Sequence, residues 1–230
     1  MGSSMVDETP VTERRVLLVD DHPIVRHGLE LLINQEDDLS VCGQTESAVE
    51  TLDHIDEMNP DIVVVDISLR GSNGLELTKV LKESRSELPV LVLSMHDESL
   101  YAERALRSGA RGYVMKQESA DTLLKAIRKV LAGGVHLSER LSSNMLREFV
   151  DGNKTEGEKF GIETLSDREL EVFELIGRGQ STRKIADRLR LSVKTIETHR
   201  AHVKQKLKLD NATELVHRAF HWVETNDSAR

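Results

Sequence analysis

The sequence predicts an α/β domain with a doubly wound, five-stranded parallel sheet, followed by a small all-α domain built on a helix-turn-helix. Three observations predict it. Apolar runs such as Ile62-Val63-Val64-Val65 read as strands buried on both faces. Amphipathic helical stretches alternate with such runs five times, the pattern of a parallel sheet covered by helices. From Leu165 the strand pattern ends and only short, capped helices remain.

Arg15–Val19 is the first buried strand, ending in Asp20 and Asp21. Pro23 suits the start of the helix that follows, where Ile24, Leu29, Leu32 and Ile33 recur at roughly helical spacing. Leu39–Gly43 is a short strand that carries Cys42 as a small buried thiol. Ala48, Leu52, Ile55 and Met58 mark a second helix. The third strand stops at Asp66, and residues 69–74 read as a loop that leads into a helix begun near Ser72-Asn73. Leu88–Ser94 is the fourth strand and ends in a hydroxyl. Leu100–Arg107 is helical, and Gly109 closes it as a left-handed cap. Gly112–Lys116 is the fifth strand, ending in an amine. Ser119 caps a helix that runs to Leu131 and stops at Gly133-Gly134.

Residues 138–149 can form a further helix, and 151–163, with three glycines and six charged residues, reads as a flexible linker. Beyond it, Ser166 with Glu169 forms a capping box for a helix to Ile176. Ser181 caps Thr182–Leu189 and Ser192 caps Val193–Leu207, and the three-residue joint between them makes a helix-turn-helix. Asn211 with Glu214 opens the last helix, 212–223.

Composition bounds the function. One cysteine excludes a disulfide framework and fits a reducing compartment. No apolar run approaches a membrane span, and residues 1–5 lack the pattern of a signal peptide, so a cytoplasmic protein is expected. Charge is unevenly spread. Arg178–Lys208 carries ten cations against two acids, a net of +8; with a chain total of -9, the remainder carries -17. A basic block in an acidic chain points to a polyanion partner for that block, against the plainer reading of a solvated helical face.

In a parallel sheet the ligand site lies outside the carboxyl ends of the strands. Those ends offer Asp20, Asp21, Asp66, Ser94 and Lys116. Three carboxylates at one mouth repel unless a cation joins them, and an all-oxygen cluster suits Mg²⁺. Asp66 would then be the nucleophile toward a phosphoryl group, with Ser94 and Lys116 binding the phosphoryl oxygens. His22, beside the acids, is read as a helix-start residue, because Mg²⁺ prefers oxygen.

This set resembles the receiver domain of bacterial two-component response regulators, which has a flavodoxin-like fold. Val19-Asp20-Asp21-His22-Pro23-Ile24-Val25-Arg26-His27-Gly28-Leu29 is similar to the NarL/FixJ subfamily. Leu165–Val172 and Lys194-Thr195-Ile196-Glu197-Thr198-His199-Arg200 resemble its LuxR-type helix-turn-helix. The resemblance implies a receiver at 14–134, a linker at 135–162 and a DNA-binding domain at 163–224. It implies Asp66 as phosphoacceptor for a sensor histidine kinase, and a metal site of Asp20, Asp21, Asp66 and the Ser68 carbonyl. Ser94 and Tyr113 would be the switch residues. The chain would be no enzyme beyond assisting its own phosphorylation and dephosphorylation. Arg70 and Gln117 stand where the family often has proline, and the bond before Gln117 is expected to be trans or strained.

On a helical wheel, Ile196, His199, Val203 and Leu207 share the face that packs inward. The opposite face would meet the major groove of double-stranded DNA. Glu197, Thr198 and Ala201 suit base contacts, and Lys194, Arg200, Lys204 and Lys206 suit phosphates, with Thr195 on the same motif. Glu197 replaces a lysine often seen in the family. The resemblance assigns the last helix to a homodimer formed on phosphorylation, through Leu215, Val216, Ala219 and Trp222. In the unphosphorylated chain the acidic receiver is expected to cover part of the basic Val193–Leu207 helix.

Two other readings stand beside this one. An aspartyl-phosphate phosphatase of the haloacid dehalogenase type needs a second Asp two residues after its nucleophile, where this chain has Ser68. A DNA-binding regulator whose receiver works without phosphate fits the departures at Arg70 and Gln117.

Overall fold

The structure is a computed structural model that describes residues 13–69, 71–151 and 161–227. Residues 1–12, Arg70, residues 152–160 of the expected linker and residues 228–230 lie outside the described residues. The element order is β1 Arg14–Val19, α1 Pro23–Ile33, β2 Leu39–Thr45, α2 Ala48–Met58 and β3 Ile62–Val65, then a two-residue pair, β4 Ser68–Leu69 and β5 Ser72–Asn73. It continues with α3 Gly74–Ser84, β6 Val90–Ser94, α4 Glu98–Arg107, β7 Gly112–Met115, α5 Ala120–Leu131 and α6 Glu139–Asp151. A 3₁₀ turn, Ile162–Thr164, precedes α7 Asp167–Gly177, α8 Thr182–Leu189, α9 Val193–Lys206 and α10 Ala212–Asp227.

Five parallel strands lie in the order β2-β1-β3-β6-β7. The order reverses beside β1, which has β2 on one side and β3 on the other. Such a reversal opens a crevice at the carboxyl ends of the strands, where Asp20, Asp21 and Asp66 fall. Alternate residues of each strand feed the two faces. Leu17, Val19, Val63, Val65, Val90 and Val92 pack toward one layer of helices. Val16, Leu18, Ile62, Val64, Leu91 and Leu93 pack toward α5 on the other. Burial on both faces is why these strands read as unbroken apolar runs.

Capping fixes the helix starts. Asn73, Asp97, Ser119, Ser166, Ser181 and Ser192 each accept a backbone N–H of the first turn. The Ser166–Glu169 box is complete. β4 and β5 form a small antiparallel hairpin where a plain loop is expected. β2 runs two residues further than expected, and Cys42 is half-buried rather than enclosed. No cis peptide occurs among the described residues, so the bond before Gln117 is trans.

The C-terminal helices gather round α7, whose eleven residues are all buried. Gly177 lets α10 approach closely: a Cβ there would lie 2.3 Å from the Ala219 carbonyl oxygen. Phe173 meets Trp222 with ring centroids 5.5 Å apart. The apolar cluster that holds Phe173, Ile185, Val203 and Leu215 is continuous with receiver residues Ile67, Leu69 and Tyr101. Leu215 and Ala219 are fully buried in it, which corrects their assignment to a dimer surface. They lie on the inner half of a wide apolar stripe, and Val216 and Phe220, 44 % and 51 % exposed, form its outer half.

Candidate functional site

Backbone hydrogen bonds align the strand ends that build the site. Asp66 N donates to Val19 O at 2.8 Å, and Lys116 N donates to Ser94 O at 2.8 Å. Asp20, Asp21, Asp66 and Ser94 are all buried. Lys116 Nζ donates to Asp66 Oδ2 at 2.7 Å and lies 2.6 Å from Asp20 Oδ2, at an angle that leaves this second oxygen without a directed hydrogen bond. Burial lifts the Asp66 carboxyl to about 6, with Lys116 pulling it down and Asp20 pushing it up. Burial works against the Lys116 charge, but Asp66 and Asp20 outweigh it and the amine is held above its ordinary range.

Asp20, Asp21, His22 and Asp66 bring one ligand atom each to within 4.8 Å of one another. Asp20 Oδ2 has the Lys116 amine 2.6 Å away and Asp21 Oδ1 the His22 ring at 2.8 Å, but neither buried oxygen accepts a well-directed hydrogen bond. Buried carboxylate oxygens left short of partners are costly. Hard oxygen donors with unused lone pairs fit a divalent cation such as Mg²⁺. His22 precedes α1 as its cap residue, donates its N–H to Asp20 Oδ1 and rests its exposed ring against both acids. Arg26 donates to the Asp20 carbonyl.

Around this pocket lies a second group, in which Ser94, Tyr113 and Ser68 meet residues to which the sequence assigns no role: His96, Tyr101, Glu171 and Glu174. Ser94 Oγ accepts from His96 N at 3.2 Å, and Tyr113 Oη donates to His96 O at 2.8 Å. The His96 imidazole reaches Glu174 Oε2 through Nδ1 at 3.2 Å, and Ser68 Oγ through Nε2 at 3.1 Å. Its Nε2 is 3.6 Å from Glu171 Oε1, to which Ser68 Oγ donates at 2.7 Å. Burial favours a neutral ring, yet the two carboxylates prevail and raise His96 to about 9. Glu171 is held down at about 2: burial opposes this, and hydrogen bonding with His96 and the nearby Arg168 outweigh it. Tyr101 also donates to Glu174 Oε2, at 3.1 Å.

These contacts join the two halves of the chain, and others flank them. Arg104 donates to the carbonyls of Ile162 and Leu165 and to Asp167 Oδ1. Arg168 donates to Ser72 O. Arg190, at the left-handed end of α8, lies 3.4 Å from both the carbonyl and Oδ2 of Asp21. Most of these pairs therefore place receiver cations on acids of α7, opposite in sense to the expected acid receiver on a basic helix. Nor is α9 covered: Lys194, Glu197, Thr198, Ala201 and Gln205 are exposed. The receiver instead meets α7, where His96 and Arg104 reach Glu174 and Asp167 beside the apolar cluster that both domains share.

Among the expected DNA contacts, Arg200 and Lys204 are partly exposed. Thr195 is partly buried, its hydroxyl 2.7 Å from Ser192 Oγ. Lys206, exposed like much of this face, turns back to Glu169 Oε2 at 2.6 Å. No described helix is long and apolar enough to cross a membrane.

Comparison with known proteins agrees with this arrangement. Residues 16–128 match the response regulator receiver domain, and 163–219 match the bacterial regulatory proteins of the luxR family. The oxygen regulatory protein NreC of Staphylococcus carnosus is 35 % identical over 212 residues, covering 90 % of this chain and 96 % of that one. A two-component response regulator of the LuxR family from Aurantimonas sp. SI85-9A1 aligns with a TM-score of 0.56 and 35 % identity over 60 % of this chain and 99 % of that one. RcsB of Salmonella enterica serovar Typhimurium, solved bound to the rprA promoter with the phosphomimetic BeF3-, aligns with a TM-score of 0.57 and 25 % identity over 90 % and 98 %. The chain belongs to the response regulators that join a receiver domain to a LuxR-family helix-turn-helix, a family of transcription regulators.

Proposed function

We propose that Asp66 accepts a phosphoryl group from a sensor histidine kinase in the cytoplasm, and that this controls dimerisation and sequence-specific binding of double-stranded DNA. The observation that carries the reading is the meeting of three buried carboxylates, Lys116 and Ser94 at the carboxyl ends of β1, β3, β6 and β7. Asp20, Asp21, Asp66 and the Ser68 carbonyl would hold Mg²⁺, which when bound offsets the charge of the acids and of an incoming phosphoryl group. Lys116 orients the Asp66 carboxylate and keeps it ionised at neutral pH against the pull of burial. Ser94, buried at the carboxyl end of β6, would donate to a phosphoryl oxygen, with Tyr113 following it inward.

The receiver occupies 14–134 and the DNA-binding domain 163–224 in this reading, with 135–162 between them. Exposed Lys194, Glu197, Thr198 and Ala201 support α9 as the recognition helix. The outer edge of α10, at Val216 and Phe220, is the proposed dimer surface. Incubation with acetyl phosphate and Mg²⁺, followed by intact-mass analysis, tests the acceptor. One added phosphoryl group is expected on the wild-type chain and none on Asp66→Asn; equal labelling of both refutes the assignment.

A further inference from the structure

We infer that His96 is a latch that holds α7 of the DNA-binding domain on the receiver and releases it according to the state of the Asp66 pocket. The inference rests on the proposed role of Asp66 and adds the route by which its state reaches the other domain. That route is short. The main chain of His96 belongs to the pocket: its N–H is donated to Ser94 Oγ at 3.2 Å and its carbonyl accepts from Tyr113 Oη at 2.8 Å. Its side chain belongs to the interface: the imidazole sits between Glu174 Oε2, at 3.2 Å, and Glu171 Oε1, at 3.6 Å. One residue thus touches both switch positions with its backbone and two of the α7 acids, Glu171 and Glu174, with its ring.

The surroundings leave little slack. The ring lies 4.4 Å from Tyr101, centroid to centroid, and Tyr101 itself donates to Glu174. Glu171 and Glu174 are buried, so each needs its cationic and hydrogen-bonding partners. If Ser94 Oγ turns to a phosphoryl oxygen, it leaves the His96 N–H. If Tyr113 follows, the His96 carbonyl loses its donor. A main-chain shift there carries the imidazole out of hydrogen-bonding range of Glu174, because these contacts already stand at 3.2 Å or more. Packed interfaces of this kind respond by switching between arrangements rather than by continuous stretching.

The link also runs backward. Ser68, two residues after Asp66, donates to Glu171 at 2.7 Å. Seating α7 therefore fixes both the β6–α4 loop and the loop that follows Asp66. By thermodynamic reciprocity, whatever frees α7 eases the change in the pocket. The latch acts on the placement of α7, since the polar face of α9 is exposed while α7 is held. A helix-turn-helix fixed to its receiver has one orientation; a released one can be placed by a dimer partner and by DNA.

The test uses the full-length chain and two independent perturbations: Glu171→Gln with Glu174→Gln in α7, and His96→Ala in the receiver. Two readouts are followed. One is the rate of phosphoryl uptake from acetyl phosphate with Mg²⁺, by intact mass. The other is the emission of Trp222, the sole tryptophan, which lines the cleft of about 770 Å³ between α4 and α10. The expected result is uptake faster by about fivefold or more in both variants, with red-shifted Trp222 emission before any phosphate is added. Phosphorylation of the wild-type chain should give the same red shift, an arm that needs no variant to fold. Uptake equal to wild type in both variants overturns the coupling, whatever the emission does. Wild-type emission unchanged by full phosphorylation overturns the release. Absence of labelling in every chain is a different failure: it refutes Asp66 as acceptor, and the coupling falls with it.

Discussion

Gly74 opens α3 directly beneath the phosphoacceptor candidate. A Cβ at this position would lie 1.9 Å from the Asp66 carbonyl oxygen, 2.8 Å from its carbon and 3.1 Å from Ile67 Cα. All three are backbone atoms, so no side chain can swing aside. For Gly74→Ala to be accommodated, the end of β3 or the start of α3 must move by about 1.5 Å, given an ordinary carbon–oxygen contact of roughly 3.4 Å. The overlap costs roughly 1–3 kcal/mol. The hydrogen bond from Gly74 N to Ile67 O, 2.7 Å in the wild-type chain, adds about 1 kcal/mol if it breaks. A net destabilisation of about 2–4 kcal/mol is expected in urea denaturation, together with a loss of Mn²⁺ affinity as Asp66 leaves its partners. Gly28→Ala is the control. It is the same substitution at mid-helix in α1, with nothing within 4 Å of the added carbon, and should stabilise the chain by up to about 1 kcal/mol. Equal effects of the two substitutions would refute the argument that the α3 start positions Asp66 by close backbone contact.

Further outcomes follow from other sites. Leu215→Ala should cost about 2–5 kcal/mol of stability in denaturant titration, as expected for a core leucine; Phe220→Asp should leave stability nearly unchanged and abolish the phosphorylation-dependent dimer seen by sizing. Lys194→Ala should weaken DNA binding for all sequences and reduce the salt slope by about one unit, whereas Glu197→Ala should relax preference at one base pair by roughly 1–3 kcal/mol, both read by titration against operator variants. Burial raises the Glu169 pKa, but Lys206 and the Ser166 N–H outweigh it, so the group sits below its ordinary value of 4.5. The stability this supplies is present above pH 4.5 and lost as pH falls through the lowered value. Lys206→Ala should therefore cost up to about 1 kcal/mol at pH 7 and nothing once Glu169 is protonated in both chains, measured by denaturation at each pH.

The sheet was legible because buried parallel strands have a plain signature. Ile62–Val65 has no polar interruption, and each such run stops at a residue that cannot be buried cheaply without a partner: Asp20, Asp66, Lys116. The helix starts were legible for the same local reason, since Ser166, Ser181 and Ser192 each bond within three residues. The β4–β5 hairpin was not, because two-residue strands have no periodicity to read. The two edges of α10 could not be separated either: Leu215, Val216, Ala219 and Phe220 make one wide stripe, and only its packing on α7 shows which half is free. The interface escaped altogether. His96 meets Glu171 and Glu174 across more than seventy residues of chain, and on α7 those acids look like any solvated helix face. Net charge pointed to the wrong pairing, because it sums over residues that never meet, whereas the contact is decided by Arg104, His96 and three acids.

The core that runs unbroken from the receiver sheet into the C-terminal helices bears on how the chain melts. Leu165, Leu170 and Phe173 share one apolar cluster with Ile67, Leu69 and Tyr101. While α7 is seated, each module's packing supports the other's through that cluster, so the unphosphorylated chain should absorb heat in a single calorimetric peak. Parting the halves would divide that cooperative unit, and the small helical module, with less surface buried, would melt first. The same division would expose α7 to proteolysis, since cleavage follows the population of the opened form.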